Sequence, residues 1–250
     1  MRHGAVLFVH PFAEEMNNAR RMAALQARAF ADAGWTVLQM DLFGCGDSDG
    51  DFGEASWQRW LDDVIEGVGW LRQKTGCSPV LWGLRAGCLL CVQAATAMEA
   101  APQLVLWQPV ISGKQHLQQF LRLKIAHQLI DGAGEGRTGT QQLLEQLARG
   151  EMIEVAGYWI SPALALPLEA AELDITNKHV PIAWVEVSGS AGSTLSPASR
   201  MRIQNLQDSG RRVEARVVEA PAFWQSPGSG DCPALIEATL SMMRTASPPQ

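Results

Sequence analysis

Five cysteines, five histidines, an aspartate-rich loop and one arginine bracketed by glycines are the side chains of this 250-residue sequence best suited to chemistry. Cys45 lies in the glycine-rich loop, where a thiol needs a basic neighbour to become a nucleophile, and His10 is the candidate neighbour. Cys88 and Cys91 have C-x-x-C spacing inside an apolar stretch, so small buried thiols are expected there rather than a redox pair. With Cys77 and Cys232 the set is odd and lacks the double pair of a zinc site, and neither metal nor cofactor is expected. Asp41, Asp47, Asp49 and Asp51 do not have EF-hand spacing, and such aspartates ordinarily bond their own backbone in turns. His116 and His127 are about three helical turns apart and could share a helix face. Arg85 stands in Gly83-Leu84-Arg85-Ala86-Gly87, between an apolar run and a small-residue helix. A helix amino terminus favours negative charge, so a cation there suits an ion pair with Glu14 or Glu15, or the carboxylate, phosphate or sulfate of a ligand.

These residues must be positioned by elements that alternate along the chain. The apolar runs Ala5–Val9, Thr36–Met40, Val80–Trp82, Leu104–Trp107, Ile182–Val187 and Val213–Val218 suit strands buried on both faces. Helical spacing is expected from Asn17 or Asn18, as caps, to Ala33, then over Ser56–Thr75, Ala86–Ala100, Pro197–Asp208 and Pro233–Arg244. Alternation of this kind implies an α/β fold, a mostly parallel sheet with helices on both faces. A long excursion, Ser112–Val180, is largely helical around Leu117–Ile130 and Gln141–Ala148, with a glycine-rich break at Gly132–Gly139. It reads as a helical lid insertion over the carboxyl ends of the strands, where such sheets bind ligands. Residues 1–111 and 181–246 are then the core, and 247–250 a polar tail.

Composition narrows the function classes. Hydrophobic residues make up 47% and charged ones 18%, enough for one sizeable core. A net charge of −6 leaves no broad basic face for nucleic acid. The longest apolar runs are too short for a membrane span, no signal peptide precedes the first strand, and a reducing cytoplasmic setting is expected.

Gly34-Trp35-Thr36-Val37-Leu38-Gln39-Met40-Asp41-Leu42-Phe43-Gly44-Cys45-Gly46-Asp47-Ser48-Asp49-Gly50 resembles a characteristic segment of α/β-hydrolases. His10-Pro11-Phe12 stands where that fold often has His-Gly near its oxyanion hole, and Gly83-x-x-x-Gly87 stands at its nucleophile elbow. More narrowly, Val9–Asn17, Asp41–Gly53 and Trp82–Gly87 together resemble the exosortase A system-associated hydrolase 2 family, strongly over the first 110 residues and weakly beyond. The resemblance implies a bacterial protein of the exopolysaccharide and PEP-CTERM sorting system. Members usually carry further residues ahead of the first strand, which implies a truncated amino terminus.

Against that pattern the catalytic parts are missing. Ester hydrolysis needs a nucleophile on the elbow, a histidine to take its proton and a carboxylate to orient the histidine. The elbow residue is Arg85, and a guanidinium stays protonated and does not attack a carbonyl. The acid position, after the strand that follows the insertion, holds Gly192. The histidine position, in Glu219–Trp224, offers Ala222, and the last histidine in the sequence is His179. The expected function is therefore non-catalytic binding of an acyl or anionic small molecule or of a paralogous hydrolase. Arg85, His10, Phe12, Glu14, Glu15 and Leu84 form the site, and Trp107, Phe120, Trp159 and Ile160 shelter an apolar group. The competing expectation is an ester or thioester hydrolase using Cys45.

Overall fold

The computed structural model describes residues 4–98, 102–130, 139–175, 180–190, 192–226, 228 and 230–245. In chain order the elements are β1 Gly4–Val9, α1 Glu14–Asp32, β2 Trp35–Gln39, a short 3-10 turn Phe52–Glu54, α2 Trp57–Thr75, β3 Val80–Leu84, α3 Gly87–Ala97 and β4 Leu104–Trp107. The insertion follows, as α4 Gly113–Ile130, α5 Thr140–Ala148, β5 Ile153–Val155, β6 Tyr158–Ile160 and α6 Pro162–Ala170. The chain ends with β7 Ile182–Ser188, α7 Pro197–Asp208, β8 Val213–Glu219 and α8 Pro233–Thr245. Two compact units result. One comprises Met1–Met40, Val64–Ile111 and Leu173–Gln250, the other Asp41–Asp63 and Ser112–Glu172.

The first unit holds a six-stranded sheet in the order β2-β1-β3-β4-β7-β8, every pairing parallel. Strands β1, β3 and β4 are buried along their whole length, as their unbroken apolar runs predict. Alternate side chains serve the two faces. On one face Val6, Phe8, Trp82, Trp107 and Val185 pack with Met22, Ala23 and Phe30 of α1 and Leu235, Met242 and Met243 of α8. On the other, a Cβ at Gly67 of α2 would lie 3.3 Å from Leu7, and one at Gly83 would lie 2.9 Å from Cys91 of α3. Helices therefore cover both faces.

An aromatic column runs through the first face. Phe30 and Trp82 have ring centroids 5.6 Å apart, Trp82 and Trp107 4.8 Å, Trp107 and Phe223 6.1 Å, and Phe223 and Trp224 5.1 Å. The Trp107 indole N–H donates to Thr239 Oγ1 of α8 at 3.0 Å. Edge-to-face aromatic pairs contribute about 1 kcal/mol each beyond area burial. The column thus joins the core to the loop after β8.

Helix α1 begins earlier than Asn17 or Asn18. Ala13 is its N-cap, with φ 49 and no side-chain cap bond, and Glu14 and Glu15 supply the acid of the first turn. Asn18 instead donates its amide to the Trp224 carbonyl at 3.2 Å. The tertiary bond outcompetes the local cap.

In the second unit, Asp41–Asp63 packs with the insertion. Ser161 Oγ donates to the Ala55 carbonyl at 2.7 Å and accepts from Leu164 N–H at 3.2 Å, which caps α6. Phe52 lies edge-on to Tyr158 at 5.1 Å and to Trp60 at 5.8 Å. The antiparallel hairpin β5–β6 and helix α6 were not expected from the sequence. A two-residue turn, Ala156 at φ 50 and Gly157 at φ 85, joins the two strands, and positive φ at both positions suits a type I′ turn. The Gly132–Gly139 break falls, up to residue 138, outside the described residues, as do His179 and the 247–250 tail.

Gly69 sits on the exposed face of α2, and a Cβ there would meet nothing within 4 Å. Gly69→Ala is expected to raise stability by about 0.8 kcal/mol, the helix-propensity difference, and chemical denaturation measures the gain.

Candidate functional site

The corner between β3 and α3 is built by clearance rather than by bonding alone. Arg85 has φ 54, in the left-handed region that costs a non-glycine residue roughly 1 kcal/mol. Three backbone bonds hold it there: Arg85 N–H to the Trp107 carbonyl at 3.0 Å, Val110 N–H to the Arg85 carbonyl at 3.3 Å, and Cys88 N–H to the same carbonyl at 3.1 Å. The flanking glycines let the backbones close. A Cβ at Gly83 would lie 2.8 Å from Cys88 N and Cα, and one at Gly87 would run into the carbonyl oxygens of Val9 and His10. This sharp turn presents residue 85 at the carboxyl end of the sheet, as a nucleophile elbow does.

What the turn presents is a paired cation. The Arg85 guanidinium bonds Glu15, from Nε to Oε1 at 3.1 Å and Oε2 at 3.3 Å, and from Nη2 to Oε1 at 3.0 Å. Side-chain exposure is 16% for Arg85 and 21% for Glu15, so the pair is largely removed from water. Burial raises the Glu15 pKa above its ordinary value, and the Arg85 charge and hydrogen bond only partly oppose that. On another side the guanidinium carbon lies 5.6 Å from the centroid of the buried Trp224 ring, within cation–π range. Trp224 comes from the loop after β8, the stretch that lacks a histidine. Sequence reasoning missed this residue, and only its aromatic neighbour Phe223 hinted at a packed role for that loop.

The other expected site residues separate. Glu14 is exposed and accepts from the Asn17 amide at 3.4 Å. His10 is buried, and its Nδ1–H donates to the Pro11 carbonyl at 2.8 Å. Phe12 and Leu84 are also buried and belong to the packing around the corner. Gly192 has φ 71 in an open turn after β7, where Ser188 Oγ bonds Ser193 Oγ at 2.7 Å. Ala222 is half-buried and its carbonyl accepts from Gln225 N–H at 2.9 Å. Neither Gly192 nor Ala222 carries a group that moves a proton.

Cys45 is buried in its turn, its N–H bonded to the Leu42 carbonyl at 2.9 Å. Cys88 points into the core, Sγ 3.6 Å from the Trp107 carbonyl, and desolvation pushes both its thiol and that of Cys91 well up from ordinary values. The aspartates act in turns: Asp41 accepts from Asp47 N–H at 3.0 Å, and Asp51 forms a capping box with Glu54. Among the described residues no group of three His, Cys, Asp or Glu side chains could hold a metal. His116 is buried and His127 exposed, so although their spacing puts them on one side of α4 the two meet different surroundings. Of the residues expected to shelter an apolar group, Trp107 lies in the sheet core, Phe120 and Ile160 are buried in the second unit, and Trp159 is exposed.

A shallow cleft lined by Gln103, Pro181, Ile182, Arg212, Glu214 and Met242 opens at the amino ends of β4, β7 and β8, the edge opposite the elbow. No helix among the described residues is long and apolar enough to cross a membrane.

A parallel sheet with helices on both faces, a strained residue between clearance glycines at the end of its third strand, and a helical insertion after the fourth define an α/β-hydrolase. The chain belongs to the family described as Serine aminopeptidase, S33, whose model matches residues 1–149. It is similar in structure to DcsB in complex with its substrate analogue, at 16% identity over 98% of this chain and 92% of that one, with a TM-score of 0.62. A highly thermostable carboxyl esterase from Bacillus coagulans in complex with glycerol is similar at 13% identity over 98% and 90%, also with a TM-score of 0.62. The metagenome-derived lipolytic enzymes LipS and LipT are represented at 16% identity over 98% and 94%, with a TM-score of 0.60. At such identity the likeness is one of fold. No curated protein matches the sequence.

Proposed function

We propose that this chain is an α/β-hydrolase-fold protein whose elbow serves binding instead of acyl transfer, and that Arg85 receives the carboxylate of a ligand when Glu15 yields its place. One observation carries this reading: a guanidinium, 3.0 Å from a carboxylate, stands where a nucleophile would be needed. A planar guanidinium matches a carboxylate or phosphate through two parallel N–H donors, and Glu15 already occupies part of that geometry. Arg85 also stands at the amino end of α3, where the helix dipole favours an anion. The resemblance to exosortase A system-associated hydrolase 2 supports a setting in the bacterial cytoplasm, beside an active paralogue of the exopolysaccharide and PEP-CTERM system.

Ester or thioester hydrolysis is the competing reading, supported by the family and by the esterases among the structural neighbours. The two readings separate in one set of measurements. We expect the purified protein to leave p-nitrophenyl esters and acyl-thioesters unhydrolysed above background, and decanoate to bind by calorimetry. Glu15→Gln should bind decanoate about tenfold more tightly, the equivalent of roughly 1.4 kcal/mol of released competition. Arg85→Ala should abolish that binding. Ester turnover that disappears in Arg85→Ala, or in Cys45→Ala, would overturn the proposal.

A further inference from the structure

We infer that the second unit docks a cationic, amphipathic segment of a partner protein, on the apolar surface made by Met152 and Trp159. The inference is independent of the elbow and rests on exposure, local architecture and charge.

The hairpin sorts its side chains between two environments. Ile153, Val155 and Ile160 are buried, whereas Met152 is 46% and Trp159 52% exposed. Leaving an indole and a thioether side by side in water forgoes burial free energy, and tryptophan and methionine are enriched where proteins meet partners. The pair is held rather than splayed. A Cβ at Gly53 would lie 2.8 Å from Met152 Cε and 3.2 Å from Trp159 Cβ, so the bare backbone of Gly53 is the floor on which both rest. That floor is fixed in turn, because Asp51 and Glu54 cap each other and Phe52 lies edge-on to Tyr158. The tight turn at Ala156 and Gly157 sets the register that pairs Glu154 with Trp159.

Charge selects the occupant. Glu151 and Glu154 neighbour the apolar pair in sequence or across the hairpin, and Asp51 and Glu54 stand on either side of Gly53 in the chain. The nearby cations are fewer, Arg149 paired with Glu151 at 2.8 Å and Lys124 donating to the Glu154 carbonyl at 2.9 Å, so the four carboxylates still outnumber them. The whole unit carries fourteen Asp and Glu against six Lys and Arg, leaving twelve and fourteen of the chain's 26 and 20 for the other unit. Such a surface repels nucleic acid and anionic lipid and steers a basic partner into contact. The exposed Trp70 of the first unit differs, since Lys74 already lies 5.6 Å from its ring centroid.

The test uses the full chain and an amphipathic Lys/Leu peptide, with a Glu/Leu peptide of the same length as control. The Lys/Leu peptide should bind, and weaken steeply as salt is raised. The Met152→Ser/Trp159→Ser variant, with an unchanged circular dichroism spectrum and melting curve, should bind at least about tenfold more weakly, as loss of a hot spot does. Glu151→Lys/Glu154→Lys should lose binding with the apolar pair intact, while Trp70→Ser should bind like the parent. Equal binding by the Met152→Ser/Trp159→Ser variant, or equal binding of the Glu/Leu peptide, would overturn the inference. Salt-sensitive self-association abolished by Trp159→Ser would also overturn it, by making a second copy of the chain the occupant.

Discussion

Gly87→Ala is expected to lower stability by about 3 kcal/mol, the upper range for overpacking a site that does not relax. The added methyl would meet the carbonyl oxygens of Val9 and His10. Val9 ends β1 and His10 follows it, and β1 is hydrogen-bonded to β2 on one side and β3 on the other, so the strand has no direction in which to withdraw. Alanine gains helix propensity over glycine by about 0.8 kcal/mol, which offsets only part of the cost. Gly83→Ala should behave similarly, because its methyl would lie 2.8 Å from the backbone of Cys88. In a domain of this size the loss corresponds to a fall of roughly 6–12 °C in melting temperature. Gly69→Ala, moving the other way, controls for any general effect of filling a glycine. A Gly87→Ala protein as stable as the parent would mean that β1 and α3 are not in tight apposition.

Arg85→Met should be nearly as costly at neutral pH, by about 2–3 kcal/mol. Breaking one member of a buried pair costs roughly 3–5 kcal/mol, and the exposure remaining to Glu15 reduces that figure. The variant strands a carboxylate whose burial cost Arg85 had partly offset. The pH dependence identifies this cause. A carboxyl whose pKa is raised on folding binds its proton more strongly in the native state. Its contribution to stability is therefore full below the ordinary glutamate value and is lost as pH rises through the raised value. Removing Arg85 deletes the two effects that lower the Glu15 pKa, so the upward shift grows and the window of loss widens. The stability gap between parent and variant should accordingly narrow on acidification. Arg85→Met/Glu15→Leu should recover most of the loss at neutral pH, since no charge is left stranded. A gap of constant size from acid to neutral pH would assign the loss to packing against Trp224 instead.

The elbow keeps the frame of an α/β-hydrolase corner around an arginine. Gly83 and Gly87 still provide the clearance that a strand-to-helix corner requires, and residue 85 still sits at positive φ. Glu15 from α1 bonds the guanidinium there, and Trp224 from beyond β8 lies within cation–π range of it. In the proposed reading, a ligand carboxylate competes with Glu15 for a guanidinium that Trp224 also neighbours.

The parallel α/β architecture was legible in the residues alone, because strands buried on both faces read as unbroken apolar runs and helices as a different period. So were the identity of the elbow residue and the lack of any histidine after His179, since these are facts of composition at positions framed by glycines or strands. Which glutamate pairs with Arg85, that Trp224 lies within cation–π range of it, and that Asn18 serves the Trp224 carbonyl rather than capping α1 depend on contacts between segments far apart in the chain. The same holds for the packing of Asp41–Asp63 with the insertion, through Ser161 on Ala55 and Phe52 on Tyr158. Local periodicity reports whether a side chain is buried. Its partner depends on which distant segments the crossovers bring together, and strands as short as β5 and β6 carry too few residues for a period to show at all.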